Sequence, residues 1–174
     1  MKDIKTEYFF SKIAIILASL FLLFIFFLLS FLIYFSFSLD SKIVLIFCLF
    51  ILFLFLKSFQ SFYIRIKFYL ADTPALILTK DELIDNTNLQ IFQWKDIKAI
   101  SAKSINIRTR VNYIAISLID PYKYIDLIEN PYKRIIAILN HKFFGGAFSI
   151  QPNIIKCNNA ELLKDLSKYI DENK

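Results

Sequence analysis

The sequence predicts a membrane α-hairpin followed by an α+β domain with an antiparallel β-barrel or sandwich. The 174 residues are 57% hydrophobic and include 20 phenylalanines but only two glycines, whereas soluble domains are about 45–50% apolar. The excess lies mostly before residue 70, and short segments of alternating apolar and polar residues, typical of strands, follow Pro74. This composition argues strongly against an ordinary soluble enzyme and excludes a disordered chain.

The first apolar segment is long enough to cross a bilayer. No charged residue occurs among the 27 residues from Ile13 to Leu39, and about 20 residues suffice to span the hydrocarbon core as a helix. A signal peptide is the alternative, since Lys2, Lys5 and Lys12 precede the segment. Its apolar part would be only about 7–15 residues long and would end in small residues. We therefore predict a membrane-spanning helix over residues 13–36.

A second membrane helix is predicted over residues 43–64. The uncharged run Ile43–Leu56 is too short to span a bilayer alone, but apolar residues continue past Lys57 to Ile64. The long side chain of a lysine near a helix end can reach the headgroups. The two helices would form a hairpin, and residues 1–70 would make up the membrane domain.

The distribution of cations predicts that both termini are cytoplasmic. Lysine and arginine are enriched on the cytoplasmic side of membrane proteins. Here Lys42 is the only cation in the connecting turn. Residues 1–70 carry seven Lys and Arg against three Asp and Glu, and the remaining residues carry 14 against 12. Because most of the excess charge flanks the membrane helices, we expect no nucleic-acid binding, which requires a basic patch on the folded domain.

Residues 71–174 are predicted to form a domain of strands, a helical insert, further strands and a final helix. Alternating residues and turn compositions indicate the strands, which are residues 75–78, 83–84, 91–92, 97–110, 111–119, 147–150 and 153–157. Prolines precede two short helices over residues 122–128 and 132–140. Apolar residues at helical spacing after Asn159, a candidate cap, predict an amphipathic helix over residues 160–170.

Three short motifs occur in a fixed order along the chain. They are Pro74-Ala-Leu-Ile-Leu78, Trp94-Lys-Asp96-Ile97 and Asp120-Pro121-Tyr122-Lys123-Tyr124-Ile125. With these motifs the chain resembles an uncharacterised family of bacterial inner-membrane proteins that have two N-terminal transmembrane helices and a pleckstrin-homology-like (PH-like) cytoplasmic domain. The resemblance covers nearly the whole chain. It implies a PH-like fold in a multi-pass protein of the bacterial inner membrane, and it implies no activity.

Trp94, Asp96 and Ile97 are interpreted as a structural motif. A sole tryptophan beside an isoleucine more often fills the edge of a core than stacks on a ligand. Asp96 is expected to pin the turn, because short carboxylates bond to neighbouring backbone amides.

Four basic residues are candidate contacts for lipid headgroups. Arg65 and Lys67 follow the second predicted helix, and Arg108 and Arg110 lie on a predicted strand. Cations next to a membrane attract anionic lipids. For Arg65 and Lys67 a role in topology alone is the better interpretation, whereas for Arg108 and Arg110 neither alternative is favoured.

No catalytic residue, metal site or cofactor is predicted. His141 is the only histidine and is expected in a loop, while Cys48 and Cys157 show no CxxC spacing. Three carboxylates lie among tyrosines and cations, as on a solvated helix face: Asp120, Asp126 and Glu129.

The function predicted from the sequence is binding rather than catalysis. The chain would be a membrane-anchored interaction module for a protein partner, a second copy of itself or lipid headgroups. The alternative is an immunity protein against a membrane-acting toxin, which a neighbouring toxin gene would favour. A transporter subunit or membrane enzyme is less favoured, because Ile13–Leu39 contains no charged residue.

Overall fold

The computed structural model describes residues 6–38, 42–103 and 113–173. The chain divides into two compact units. The helical unit comprises Ser11–Thr73, and the α+β unit combines the N-terminal residues up to Phe10 with everything from Pro74 onward.

The helical unit contains two long helices that pack against each other, α1 (Lys12–Ser38) and α2 (Lys42–Leu70). Among the described residues, one helix is long and apolar enough to cross a membrane, namely α1 over Lys12–Ser36. Where the side chains of α2 are described, the apolar segment found is shorter, Val44–Phe53.

Helix α2 continues beyond the predicted end at residue 64. No glycine or proline interrupts the sequence before Pro74, so nothing local ends the helix where the polar residues begin. It ends instead at Leu70, two residues before Asp72, whose φ of 51° is left-handed. The Thr73 amide donates to the Phe68 carbonyl at 2.9 Å and the Asp72 amide donates to that of Tyr69 at 3.2 Å, which is the Schellman pattern of helix termination.

The α+β unit contains two antiparallel sheets with strands in sequence order. The first sheet consists of β1 (Thr6–Tyr8), β2 (Leu76–Leu78), β3 (Glu82–Asp85) and β4 (Gln90–Gln93), and the second of β5 (Ile97–Lys103), β6 (Tyr113–Leu118) and β7 (Phe148–Ile150). The described strands do not close into a barrel, so the barrel alternative of the prediction is not seen in this part of the chain.

Three helices complete the α+β unit. Between β6 and β7 lie the single turn α3 (Tyr122–Ile125) and the longer α4 (Pro131–Phe144), and α5 (Asn159–Glu172) follows β7. The predicted helical insert and final helix are therefore observed in the expected order, with one strand between them where two were predicted. Helix α5 is capped by the side chain of Asn158, which accepts a hydrogen bond from the Ala160 amide at 3.0 Å, rather than by Asn159.

The N-terminal strand β1 is absent from the sequence prediction, which assigned residues 1–70 to the membrane domain. In the structure, β1 pairs with β2: Thr6 lies opposite Leu78 and Tyr8 opposite Leu76. Phe10 forms a further antiparallel bridge with Ile155. The short strand contains too few residues to show a recognisable alternation.

Two other predicted strands differ from the structure. Residues 153–157 do not form a strand, because Pro152–Ile154 adopts a 3₁₀ turn and Ile155 makes the isolated bridge to Phe10. Proline lacks the amide hydrogen that a strand ladder requires. The predicted strand 97–110 is observed as far as Lys103, and its remaining residues lie outside the described part of the chain.

The core of the α+β unit lies between the sheets and α5. Phe92 of β4 contacts Phe148 of β7 at 5.1 Å between ring centroids, and this contact joins the two sheets. Helix α5 buries Leu162, Leu166 and Ile170, the apolar face that the sequence predicts. Burial of this face explains why the final helix forms, since an isolated helix of its length is only marginally stable.

The turn between β3 and β4 is held by a buried carboxylate. Asp85 accepts hydrogen bonds from the Thr87 amide at 2.9 Å and the Asn88 side chain at 2.8 Å. Burial raises the pKa of Asp85, against the opposing effect of these hydrogen bonds. Asn88 also donates to the Ser149 carbonyl at 3.0 Å, so the turn links the first sheet to β7.

Candidate functional site

The Trp94–Ile97 motif forms the connection between the two sheets. Residues Trp94–Asp96 make a 3₁₀ turn after β4, and Ile97 begins β5. Trp94 is 2% exposed, and its ring stacks on Tyr169 of α5 with centroids 5.4 Å apart. Its indole nitrogen donates to the Thr79 carbonyl at 2.9 Å. In the structure this tryptophan fills the core and is not available to a ligand.

Asp96 anchors α3 rather than the backbone of its own turn. Its carboxylate accepts hydrogen bonds from the Lys123 ammonium and the Tyr124 hydroxyl, each at 2.6 Å. The sequence analysis expected local backbone amides as the partners, so the structure corrects the contacts of Asp96. The two helical residues come close only because β6 carries the chain back alongside β5.

The hydrogen bonds from Lys123 and then Tyr124 hold the pKa of Asp96 below its ordinary value. A lowered carboxyl pKa stabilises the fold above the unfolded-state value near 3.9, and this contribution is lost as the pH falls through the lowered pKa. We expect Asp96→Asn to lower the urea midpoint at pH 7 and to lower it less at pH 2, where more of the Asp96 carboxylate is protonated. Asp171→Asn, on the exposed surface of α5, is the control. An equal deficit at both pH values would contradict this account.

A polar cavity of about 310 Å³ lies beside the motif. Its lining side chains come from the start of the β3–β4 hairpin, from the 3₁₀ turn and from the end of α5: Asp81, Glu82, Gln93, Lys95 and Asn173. The lining includes two carboxylates, Asp81 and Glu82, and one ammonium group, Lys95, so it carries more negative than positive charge. Such a set can hydrogen-bond a small polar ligand, and its charge favours one that presents an amino group.

The N-terminal residues are fastened to α5 by side-chain contacts that the sequence does not reveal. The Tyr8 hydroxyl donates to Asp165 at 2.5 Å, and the hydroxyls of Thr6 and Tyr169 lie 3.1 Å apart. The Lys156 amide also donates to the Phe9 carbonyl at 2.7 Å. Desolvation of the ring and the nearby Asp165 raise the pKa of Tyr8, so its hydroxyl remains a donor at neutral pH.

The structure describes two of the four candidate lipid-contacting cations. Arg65 and Lys67 lie inside α2, in its last two turns, and not beyond its end. Arg108 and Arg110 fall outside the described residues.

The remaining sequence candidates are placed as follows. His141 belongs to the last turn of α4 and not to a loop, and its ring meets Tyr122 edge-on at 5.9 Å. Cys48 is buried within α2, and Cys157 is half-buried in the α+β unit. Asp120 accepts from the first amides of α3, and Asp126 pairs with Arg134. Among the described residues, no group of three or more histidine, cysteine, aspartate or glutamate side chains could hold a metal ion.

The helical unit has a groove of its own. Side chains of α1 between Ser19 and Phe26 and of α2 between Phe55 and Ile66 enclose about 250 Å³. The Ser19 hydroxyl is bonded to the Ile15 carbonyl at 2.8 Å, so the groove offers an almost entirely apolar surface.

No protein-family model matches the chain, and no curated protein or solved structure is significantly similar to it. The fold itself defines the class. The chain is an α+β protein with an N-terminal apolar helix long enough to span a membrane and with two antiparallel sheets.

Proposed function

We propose that the chain is a membrane-anchored, PH-like interaction module. Helices α1 and α2 cross the bacterial inner membrane as a hairpin, and the α+β unit binds a protein partner or lipid headgroups at the cytoplasmic face. The observation that carries the proposal is the pairing of β1 with β2. These strands precede and follow the two helices in sequence, so the pairing returns the chain to its starting point after α2.

The strand pairing supports two crossings rather than one. Residues 6–8 and 76–78 are hydrogen-bonded neighbours and must therefore be on the same side of any membrane. The intervening chain then crosses the bilayer an even number of times. If α1 spans the membrane, a return crossing is required, and α2, with 29 residues, is about 44 Å long and sufficient to supply it.

The cations support a cytoplasmic location for the α+β unit. Lys12 is the first residue of α1, while Arg65 and Lys67 lie in the last two turns of α2. These two helix ends face the same side in a hairpin, and the positive-inside rule assigns that side to the cytoplasm.

The architecture of the α+β unit supports the PH-like assignment. Two antiparallel sheets are followed by a C-terminal amphipathic helix, with a helical insert before the last strand. The Trp-x-Asp-Ile motif lies where β4 turns into β5. In this arrangement the membrane hairpin is an insertion between the first two strands.

The sheets also support binding to another protein chain. In the described part of the unit, β4 and β5 are terminal strands of their sheets. A terminal strand presents backbone groups with which an extended segment of a partner can pair.

The topology is tested by labelling single cysteines in spheroplasts. In a Cys48→Ser, Cys157→Ser background, Ser41→Cys reports on the predicted turn and Ser167→Cys on the exposed surface of α5. We expect a membrane-impermeant maleimide to label position 41 in intact spheroplasts and position 167 only after permeabilisation. Labelling of position 167 in intact spheroplasts, or protection of position 41 until permeabilisation, would contradict the proposed topology.

A further inference from the structure

We propose that α4 binds the surface of the bilayer that anchors the chain, inserting its exposed apolar face between anionic lipids. The inference rests on the proposed function and names the lipid surface as a partner of the α+β unit.

Helix α4 exposes an apolar stripe. Five large side chains on it are between 38% and 74% exposed, namely Tyr132, Ile135, Ile136, Leu139 and Phe143. At 3.6 residues per turn these positions fall within an arc of about 100°. Exposed apolar residues are normal when scattered singly, but a contiguous set indicates an interaction surface.

The other side of α4 is already used by the fold. Ala137 is buried in a cluster with Ile125 and Ala147, and Ile138 packs against the same cluster. The Asn130 side chain caps the helix by accepting from the amides of its first turn. These contacts hold the helix in place with its apolar stripe directed outward. Helix α4 therefore forms without a partner on the stripe.

The charges on α4 are all positive and favour an anionic surface. The helix contains three cations and no carboxylate. Arg134 pairs with Asp126, whereas Lys133 and Lys142 are exposed and lie on the two borders of the apolar arc. An apolar face bordered by lysines is typical of helices that lie in the membrane interface.

The chain's own connection to α1 favours the bilayer over another partner. Two peptide steps, about 7 Å of extended chain, separate the bridging residue Phe10 from Lys12 at the start of α1. With α1 in the membrane, this tether holds the α+β unit beside the lipid surface, at a high effective concentration.

Lipid contact is tested with the full chain in nanodiscs that hold a single copy. Leu139→Cys in the Cys48→Ser, Cys157→Ser background carries an environment-sensitive fluorophore, and Ser167→Cys on α5 is the matched control. In discs with 30% phosphatidylglycerol, we expect headgroup-region spin-labelled lipids to quench position 139 at least twofold more than position 167. In discs of phosphatidylcholine alone, the difference in quenching between positions 139 and 167 should fall by at least half. The same fall is expected in anionic discs when Lys133→Glu and Lys142→Glu are combined.

Other outcomes would separate the two proposals. If the chain enters the discs with the predicted labelling at positions 41 and 167, but lipids quench positions 139 and 167 equally, the membrane role of α4 is wrong while the anchor stands. Shielding of position 139 only in discs that hold two copies would also overturn it, in favour of a self-association face. Failure of the chain to enter the discs would contradict both proposals.

Discussion

Replacing Trp94 by alanine is expected to lower the free energy of unfolding of the α+β unit by about 3–5 kcal/mol, the usual cost of truncating a large buried aromatic side chain. The ring is 2% exposed and stacks on Tyr169, so its removal leaves a cavity between the 3₁₀ turn and α5. Trp94 is the only tryptophan, and tryptophan fluorescence is therefore lost in the variant. Pulse proteolysis in urea, with the protein in detergent micelles, measures the change.

Trp94→Phe is the matched control. Phenylalanine keeps an aromatic ring against Tyr169 but cannot donate to the Thr79 carbonyl, a bond of 2.9 Å in the structure. We expect a smaller loss, of about 1–3 kcal/mol, from the unpaired carbonyl and the reduced volume. A loss below 1 kcal/mol for Trp94→Ala would show that the tryptophan does not hold α5 against the sheets.

Replacing Tyr8 by alanine is expected to cost about 3 kcal/mol and to release the N-terminal strand. Tyr8 is buried, pairs with Leu76 and donates to Asp165 of α5. Without its ring, the three-residue strand β1 is held mainly by its backbone pairing with β2 and by the contact of Thr6 with Tyr169. The measurement is the urea midpoint together with the rate at which a protease removes an N-terminal epitope tag.

Tyr8→Phe distinguishes the ring from the hydroxyl. It removes the hydrogen bond to Asp165 and retains the buried ring, and we expect a loss of about 1 kcal/mol with the tag still protected. The two variants also bear on topology, since the argument for an even number of crossings depends on β1. Rapid loss of the tag from the unmodified protein under native conditions would contradict the pairing of β1 with β2.

Much of the architecture can be predicted from local sequence. Helix α1 follows from an uncharged apolar run, the β3–β4 hairpin from a polar turn between apolar pairs, and α5 from its apolar spacing. These features depend on periodicity within a short window, which a sequence displays directly. The Trp-x-Asp-Ile motif could likewise be placed at a turn between strands, and the structure locates it there.

The contacts of the candidate site could not be predicted in the same way. Asp96 and Lys123 are 27 residues apart in sequence, and Tyr8 and Asp165 are 157 apart. Hydrogen bonds of this kind require the chain to return to the same place, and no local pattern reports such a return. The polar cavity, with lining residues from Asp81 to Asn173, is hidden from the sequence for the same reason.

The sequence by itself determined that the chain has an apolar helix long enough to span a membrane and an α+β segment after it, because length, hydropathy and periodicity are local properties. The tertiary structure alone decided that residues 6–10 belong with the segment after Pro74 and that α4 keeps an apolar face exposed. Both depend on which surfaces meet when the chain folds, and the burial of an apolar residue is settled by its neighbours in space.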